Sequence, residues 1–193
     1  MTERRKEKIL SVLRHRQPNL TVVMENIHDP HNVSAMLRSS DAVGVLEVQL
    51  VYTSEKFPRL GKKSSASATK WVTRRKFASI RECYDRLHEE GFRIYATHLG
   101  ADAVSLYELD LTAKVALVFG NEHAGVSEEA AALADGNFLI PMTGMIQSLN
   151  VSVACAVTLY EAFRQRQASP GKPGSALTPE ALQALADVWM KPK

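Results

Sequence analysis

Cysteine is nearly missing from this chain. Cys83 and Cys155 are the two in 193 residues, 72 positions apart, and neither belongs to a CxxC pair. That spacing disfavours both a disulfide framework and a cysteine-based zinc site, and suits a reducing, cytoplasmic compartment. Long apolar runs are missing too: no stretch approaches the roughly 20 residues that cross a bilayer. The opening "MTERRKEKIL" is charged from its start and lacks the apolar centre of a secretion signal. The common α/β signatures are also absent. No GxGxxG follows the first apolar run, which argues against a standard dinucleotide site and against the usual glycine-rich methyltransferase site. "GNEHAG" (120–125) spaces two glycines five apart, but no Lys-Ser/Thr follows to make a phosphate loop. There is no GxSxG nucleophile elbow. "HDPH" (28–31) spaces two histidines like a ligand pair, yet Pro30 precludes the regular helix that would aim both at one ion, so no metal is expected.

What is present is ordinary in bulk and uneven in detail. At 45% hydrophobic and 23% charged, the composition fits one domain able to bury a real core. The formal net charge is +3, but residues 1–20 carry +4 and residues 56–76 carry +8 with no acid, leaving −9 for the rest. Two basic segments on a near-neutral chain point to a polyanion, although either alone could be solvated surface.

The pattern of elements alternates. Residues 3–16 suit a short amphipathic helix with a cationic face, ending near Pro18. Residues 20–26 form a β-branched run, broken at Asp29-Pro30, and the helical pattern from 31 or 32 to 43 closes at Gly44. Strands follow at 45–52, near 70–75, at 92–99, 115–120 and 137–140. Helices are expected at 79–91, with Ser79 as N-cap and Gly91 as C-cap, at 127–135, from about 148 to 165, and at 178–189. Residues 168–175, "ASPGKPGS", read as a linker. Such alternation gives a mostly parallel α/β sheet with helices on both faces. The expected division is a basic N-terminal helical extension (1–18), a core (19–167), and a linker with a C-terminal helix (168–193). Ligands bind such sheets beyond the carboxyl ends of the strands. The tips "ENIHDPHN", "ATHLG", "FGNEHAG" and "IPMTGMIQSLN" therefore carry the candidate chemistry.

Three of these tips share a pattern. "HNVSAMLR" sets Asn32 and Arg38 six residues apart at the head of a helix, "FGNEHAGVS" sets Glu122 between two glycines, and "IPMTGMIQSLNVS" sets Ser148 and Asn150 before the last core helix. Together they resemble the three motifs of the SPOUT, or α/β-knot, RNA methyltransferases, over about residues 15–167. Within that family the nearest resemblance is to the tRNA guanosine-2′-O-methyltransferase group, which acts on the D-loop guanosine at nucleotide 18. The resemblance implies a homodimer, a deep C-terminal trefoil knot, S-adenosylmethionine as methyl donor, tRNA as partner and no metal. It also implies cofactor contacts at Thr97, Gly120, Ile140 and Leu149, with Met145 nearby. Ribosomal RNA ribose methylation and a non-catalytic RNA-binding protein of the same fold are the alternatives.

Methyl transfer to an oxygen needs alignment of the 2′-OH with the donor methyl and a destination for the hydroxyl proton. By the resemblance Arg38 acts on the ribose hydroxyl. A guanidinium is a poor base, so a fork gripping the adjacent phosphate and stabilising the developing alkoxide suits it better. Without the motif, Arg38 would read as a surface cation. Asn32, Ser148 and Asn150 would orient Arg38 and the nucleotide, or simply cap helices, with Ser148 a good N-cap in its own right. Glu122 would anchor the arginine or shape its own loop, and Ile140 and Leu149 could equally be core. Close approach to the cofactor would favour glycine at 120, 125 and 144. Asp29 stands where a basic residue is expected, which would weaken the grip on RNA. The small residues Ala154, Cys155 and Ala156 would let a helix pack inside a knot. RNA contacts are expected from Lys8, Arg14 and Arg16 at one end, Arg164 and Arg166 at the other, and His31 beside the reaction centre.

Overall fold

The computed structural model describes all residues except 55, 61–67, 170–176 and 192–193. Its sheet is built from β1 (Leu20–Glu25), β2 (Glu47–Val51), β3 (Thr73–Phe77), β4 (Arg93–Thr97), β5 (Val104–Ser105), β6 (Val115–Phe119) and β7 (Gly136–Leu139). The spatial order is β3-β2-β1-β6-β4-β7-β5, and every neighbouring pair is parallel. All carboxyl ends therefore face one side. The chain runs outward from β1 through β2 to β3, then crosses back to build the other half, so the topological switch lies between β1 and β6.

Alternation along each strand feeds two cores. Val22 and Met24 of β1 point into one cluster with Leu117, Phe119 and Phe138, while Val23 joins Ile94, Ala116 and Val118 in the other. Helices α2 (Pro30–Ala42) and α5 (Val151–Ala168) cover the first face. Helices α3 (Ile80–Glu89) and α4 (Glu128–Leu133) cover the second. Because the central strands are buried on both faces, β1 and β6 tolerate near-continuous apolar sequence. The terminal helices α1 (Glu3–Arg14) and α6 (Pro179–Met190) pack on each other around Ile9, Leu13 and Ala186. No described helix is long and apolar enough to cross a membrane.

One expectation needs correction here, and one strand has no counterpart in the sequence pattern. The last core helix begins at Val151, not 148, because Asn150 takes the N-cap and accepts hydrogen bonds from Ser152 N and Oγ at 2.9 and 2.6 Å. The two-residue β5 is too short to leave a periodic signal in sequence. The middle of the basic loop (61–67) and most of the linker (170–176) lie outside the described residues.

Candidate active site

Strands β1, β6, β4 and β7 are consecutive across the sheet, so the loops leaving their carboxyl ends meet at one rim. After β1 the chain turns through Asp29, whose carboxylate caps α2 by accepting from His31 N at 2.7 Å, with Pro30 in the first helical position. That is the missing reason for an acid before Pro-His-Asn: it caps the helix, whatever its effect on RNA. Asn32 follows in the first turn, 8% exposed.

Glu122, in the loop after β6, completes this helix start from 93 residues away. Its carboxylate accepts from His28 N at 3.0 Å, Asp29 N at 3.1 Å and Asn32 Nδ2 at 2.9 Å. It thus does what a glutamate in the first turn does in a capping box, accepting from the N-cap amide, but does so across the sheet. Burial works to raise its pKa, but the hydrogen bonds from Asn32, His28 and Asp29 outweigh that and hold the carboxyl below its usual range. On the other side, Asn150 Nδ2 donates to Asn32 Oδ1 at 3.1 Å. One chain of hydrogen bonds, Glu122–Asn32–Asn150, therefore joins the ends of β1, β6 and β7.

Glu122 does not anchor Arg38, one of the two roles expected of it. Arg38 is exposed and makes no hydrogen bond or ion pair to any described residue. It lies seven residues after His31, about two turns along the same face of α2, and side chains lean toward a helix N-terminus. Both are exposed, His31 in the first turn and Arg38 about two turns beyond it. Ser148 is exposed in the loop before α5 and caps nothing, because Asn150 holds that position.

The expected cofactor positions divide. Thr97 ends β4, and its hydroxyl donates to Val118 O at 3.0 Å. Ile140 packs against the core beyond β7, Leu149 is half-buried, and Met145 is 99% exposed. The main chain of 141–149 forms no hydrogen bond to any described residue, leaving donors and acceptors at the rim. Gly120 also has a reason within the chain itself. A Cβ there would sit 2.1 Å from the backbone of Gly125 and Val126, so glycine lets the loop close on itself through Gly125 N to Asn121 O at 2.8 Å. At Gly144 a Cβ would meet nothing within 4 Å.

The basic residues divide as well. Lys8, Arg14 and His31 are exposed. Arg16 is only 1% exposed, donating to Asp41 Oδ1 at 2.5 Å and Val45 O at 3.0 Å with its guanidinium over Trp189. It is a structural pin between α2 and the terminal helices, which corrects its reading as an RNA contact. Arg166 is half-buried and also serves the fold. It donates to Leu111 O, Ala113 O, Asn19 O, Asn19 Oδ1 and Gln17 Oε1, and burial lowers its pKa to about 10. Arg164 stays exposed, paired with Glu161 at 2.8 Å.

A family model described as the SpoU rRNA methylase family matches residues 19–160, which contain every residue of this hydrogen-bonded rim. The chain belongs to the SpoU methylase family. It is 49% identical over 190 residues to the tRNA (guanosine(18)-2′-O)-methyltransferase of Thermus thermophilus, covering 98% of this chain and 97% of that one. The crystal structure of the A. aeolicus TrmH/SpoU tRNA modifying enzyme matches with a TM-score of 0.88 and 37% identity, over 97% of this chain and 95% of that chain. The SpoU methyltransferase AviRb of Streptomyces viridochromogenes, solved with the cofactor AdoMet, matches at 0.72 and 27%, over 83% of this chain and 65% of that one. Inside this SpoU frame, sequence reasoning passed over Glu25, Asn26 and Asn121. An asparagine at a strand end before a turn is the available signal, since asparagine tolerates the left-handed region, and Asn26 has φ 50°.

Proposed function

We propose that this SpoU-family enzyme transfers a methyl group from S-adenosylmethionine to the ribose 2′-OH of tRNA, at guanosine 18. The observation that carries the reading is the Glu122–Asn32–Asn150 chain, which fixes the helix presenting Arg38 at a rim formed by three strand ends. The near full-length likeness to the T. thermophilus tRNA enzyme supports the substrate.

The residues present fit the methyl donor. Thr97, Ile140, Leu149 and the exposed Met145 offer apolar and hydroxyl surface, and the open main chain of 141–149 offers polar contacts. When bound, the donor supplies a methyl on a sulfonium sulfur for displacement by an oxygen. The protein's own work is alignment, which can contribute roughly 7–11 kcal/mol when geometry is fixed. Glu122 and Asn150 hold Asn32, and through it the first turn of α2. Arg38, free of protein partners among the described residues, grips the phosphate beside the ribose and stabilises the oxygen as its proton leaves. Ser148, exposed at the same rim, is positioned for the nucleotide. Lys8, Arg14, His31 and Arg164 supply the remaining contacts with RNA.

The architecture of the reading has three further parts. Residues 19–167 form the catalytic core, with 1–18 and 168–193 as extensions. The core ends in a trefoil knot, a reading supported by the hydrogen bonds that tie the tail of α5 to residues 109–113. There Leu111 N donates to Gln165 Oε1 at 2.9 Å, and Gln165 Nε2 to Leu109 O at 3.0 Å. A second copy covers the face of α5 on which Val153 and Tyr160, seven residues apart, stay 47% and 54% exposed. Light scattering reads the dimer directly. The function is tested by incubating bulk tRNA and ribosomal RNA with labelled methyl donor and mapping the modified nucleotide. Label at a tRNA guanosine ribose is expected; label confined to ribosomal RNA overturns the substrate.

A further inference from the structure

Beneath the rim, Glu25, Asn26 and Asn121 form a second hydrogen-bonded set. Asn26 follows β1 in the left-handed region at φ 50°, a conformation disfavoured for most residues with a side chain. Its side chain ties down the exit of β2, accepting from Thr53 N at 2.9 Å and Ser54 N at 3.3 Å and donating to Thr53 Oγ1 at 3.2 Å. Its carbonyl, aimed by that unusual φ, accepts from Asn121 Nδ2 at 2.9 Å. Asn121 in turn accepts from His123 N and Ala124 N at 2.9 and 3.2 Å, so its side chain organises the turn that holds Glu122. The far end of the same loop is fixed by the preceding residue of β1: Glu25, 3% exposed, accepts from Ser127 N at 2.9 Å.

Glu25, the last residue of β1, and Asn26, the next in the chain, thus clamp both ends of the loop that carries Glu122, and Glu122 sets the first turn of α2. We propose that Asn121, seated on Asn26 and with the loop's other end held by Glu25, is a positioning residue for methyl transfer, acting through Glu122 on Asn32 and the Arg38 helix. The strained φ of Asn26 is the cost of turning its carbonyl toward Asn121 rather than continuing the strand. This inference rests on the proposed methyltransferase reading for its kinetic consequence, but its geometric content stands apart.

The test uses Asn121→Asp, which keeps the acceptor for His123 and Ala124 but loses the donor to Asn26. Single-turnover methylation of tRNA is expected to slow about tenfold, as for loss of one well-placed hydrogen bond, with cofactor and tRNA Kd changed less than about twofold. In the Glu122→Gln background the same substitution is expected to cost less than about threefold, because the group it acts through is already lost. Equal losses in both backgrounds, or a loss matched by weakened cofactor binding, would show a merely structural role and overturn the proposal. Should Asn121→Asp fold poorly, Asn121→Ala with Asn26→Gly, which keeps the left-handed turn, answers the same question. A second readout needs no substrate: hydrogen exchange at the His28 and Asp29 amides is expected to quicken about tenfold in Asn121→Asp. Unchanged exchange overturns the positioning, whereas a wild-type protein that leaves tRNA unmethylated overturns only the functional reading.

Discussion

Replacing Glu122 by Gln is the most informative perturbation of the rim. The carboxylate accepts three hydrogen bonds, from His28 N, Asp29 N and Asn32 Nδ2, at 2.9–3.1 Å. Glutamine keeps one oxygen, so at least one donor loses its acceptor and meets an amide NH2 instead. Bonds to a charged acceptor contribute about 1.5–3 kcal/mol each when dry, and much less where water competes. Glu122 is only half-buried, so the net loss should be about 1–2 kcal/mol. For a chain of this size that lowers Tm by about 2–8 °C. The pH dependence has a definite sign. Because the folded carboxyl titrates below its ordinary value, its contribution is full above the unfolded pKa and is lost as pH falls through the folded one. Thermal unfolding followed by circular dichroism at several pH values should show a Tm gap that is widest near neutrality and closes in acid. A gap independent of pH, or no gap, would refute the assignment of Glu122 as the charged cap of α2.

Arg38→Ala should reduce methylation at least about 100-fold, the scale of losing a charge stabiliser, while calorimetric cofactor affinity changes less than about threefold; equal loss of affinity would place Arg38 in the cofactor site. Arg164→Ala should flatten the log–log salt dependence of tRNA binding by about 0.7–0.9 units with little change in stability. Arg166→Ala should instead cost about 2–4 kcal/mol in denaturant unfolding, since it strands four acceptor residues. Gly120→Ala should cost about 3 kcal/mol, because a methyl 2.1 Å from the Gly125 backbone forces the loop open.

Much of the fold was legible because the period of apolar residues changes where the elements change. Ser79 takes the N-cap expected of it, accepting from Glu82 N, while Glu82 Oε2 accepts from Ala78 N just outside the helix. Gly44 and Gly91 end their helices at positive φ. What was not legible depends on partners remote in sequence. Arg16 looks like the last cation of a basic helix, yet it follows the C-cap at His15 and turns inward to Asp41 and Trp189. Arg166 continues a polar tail until residues 109–113 close over it. Asn150 and Ser148 compete for one N-cap two residues apart, and sequence offers no reason to prefer Asn150; the preference comes from Asn32, whose oxygen receives the other end of the Asn150 side chain.

The same distribution of acids decides how the rim can meet RNA. A helix N-terminus is ordinarily an anion site, because its amides and dipole favour negative charge. Here α2 has no acid in its own first turn, but Asp29 and Glu122 bring two carboxylates to that end from outside it. The terminus is already neutralised, so a backbone phosphate gains little by docking there and would be repelled by both acids. Phosphate must be held by side chains farther along the helix, and Arg38 lies on its exposed face, unpaired among the described residues. On the proposed methyltransferase reading, filling the helix terminus with protein carboxylates directs the RNA backbone to Arg38 and separates the group that positions α2 from the group that meets the substrate.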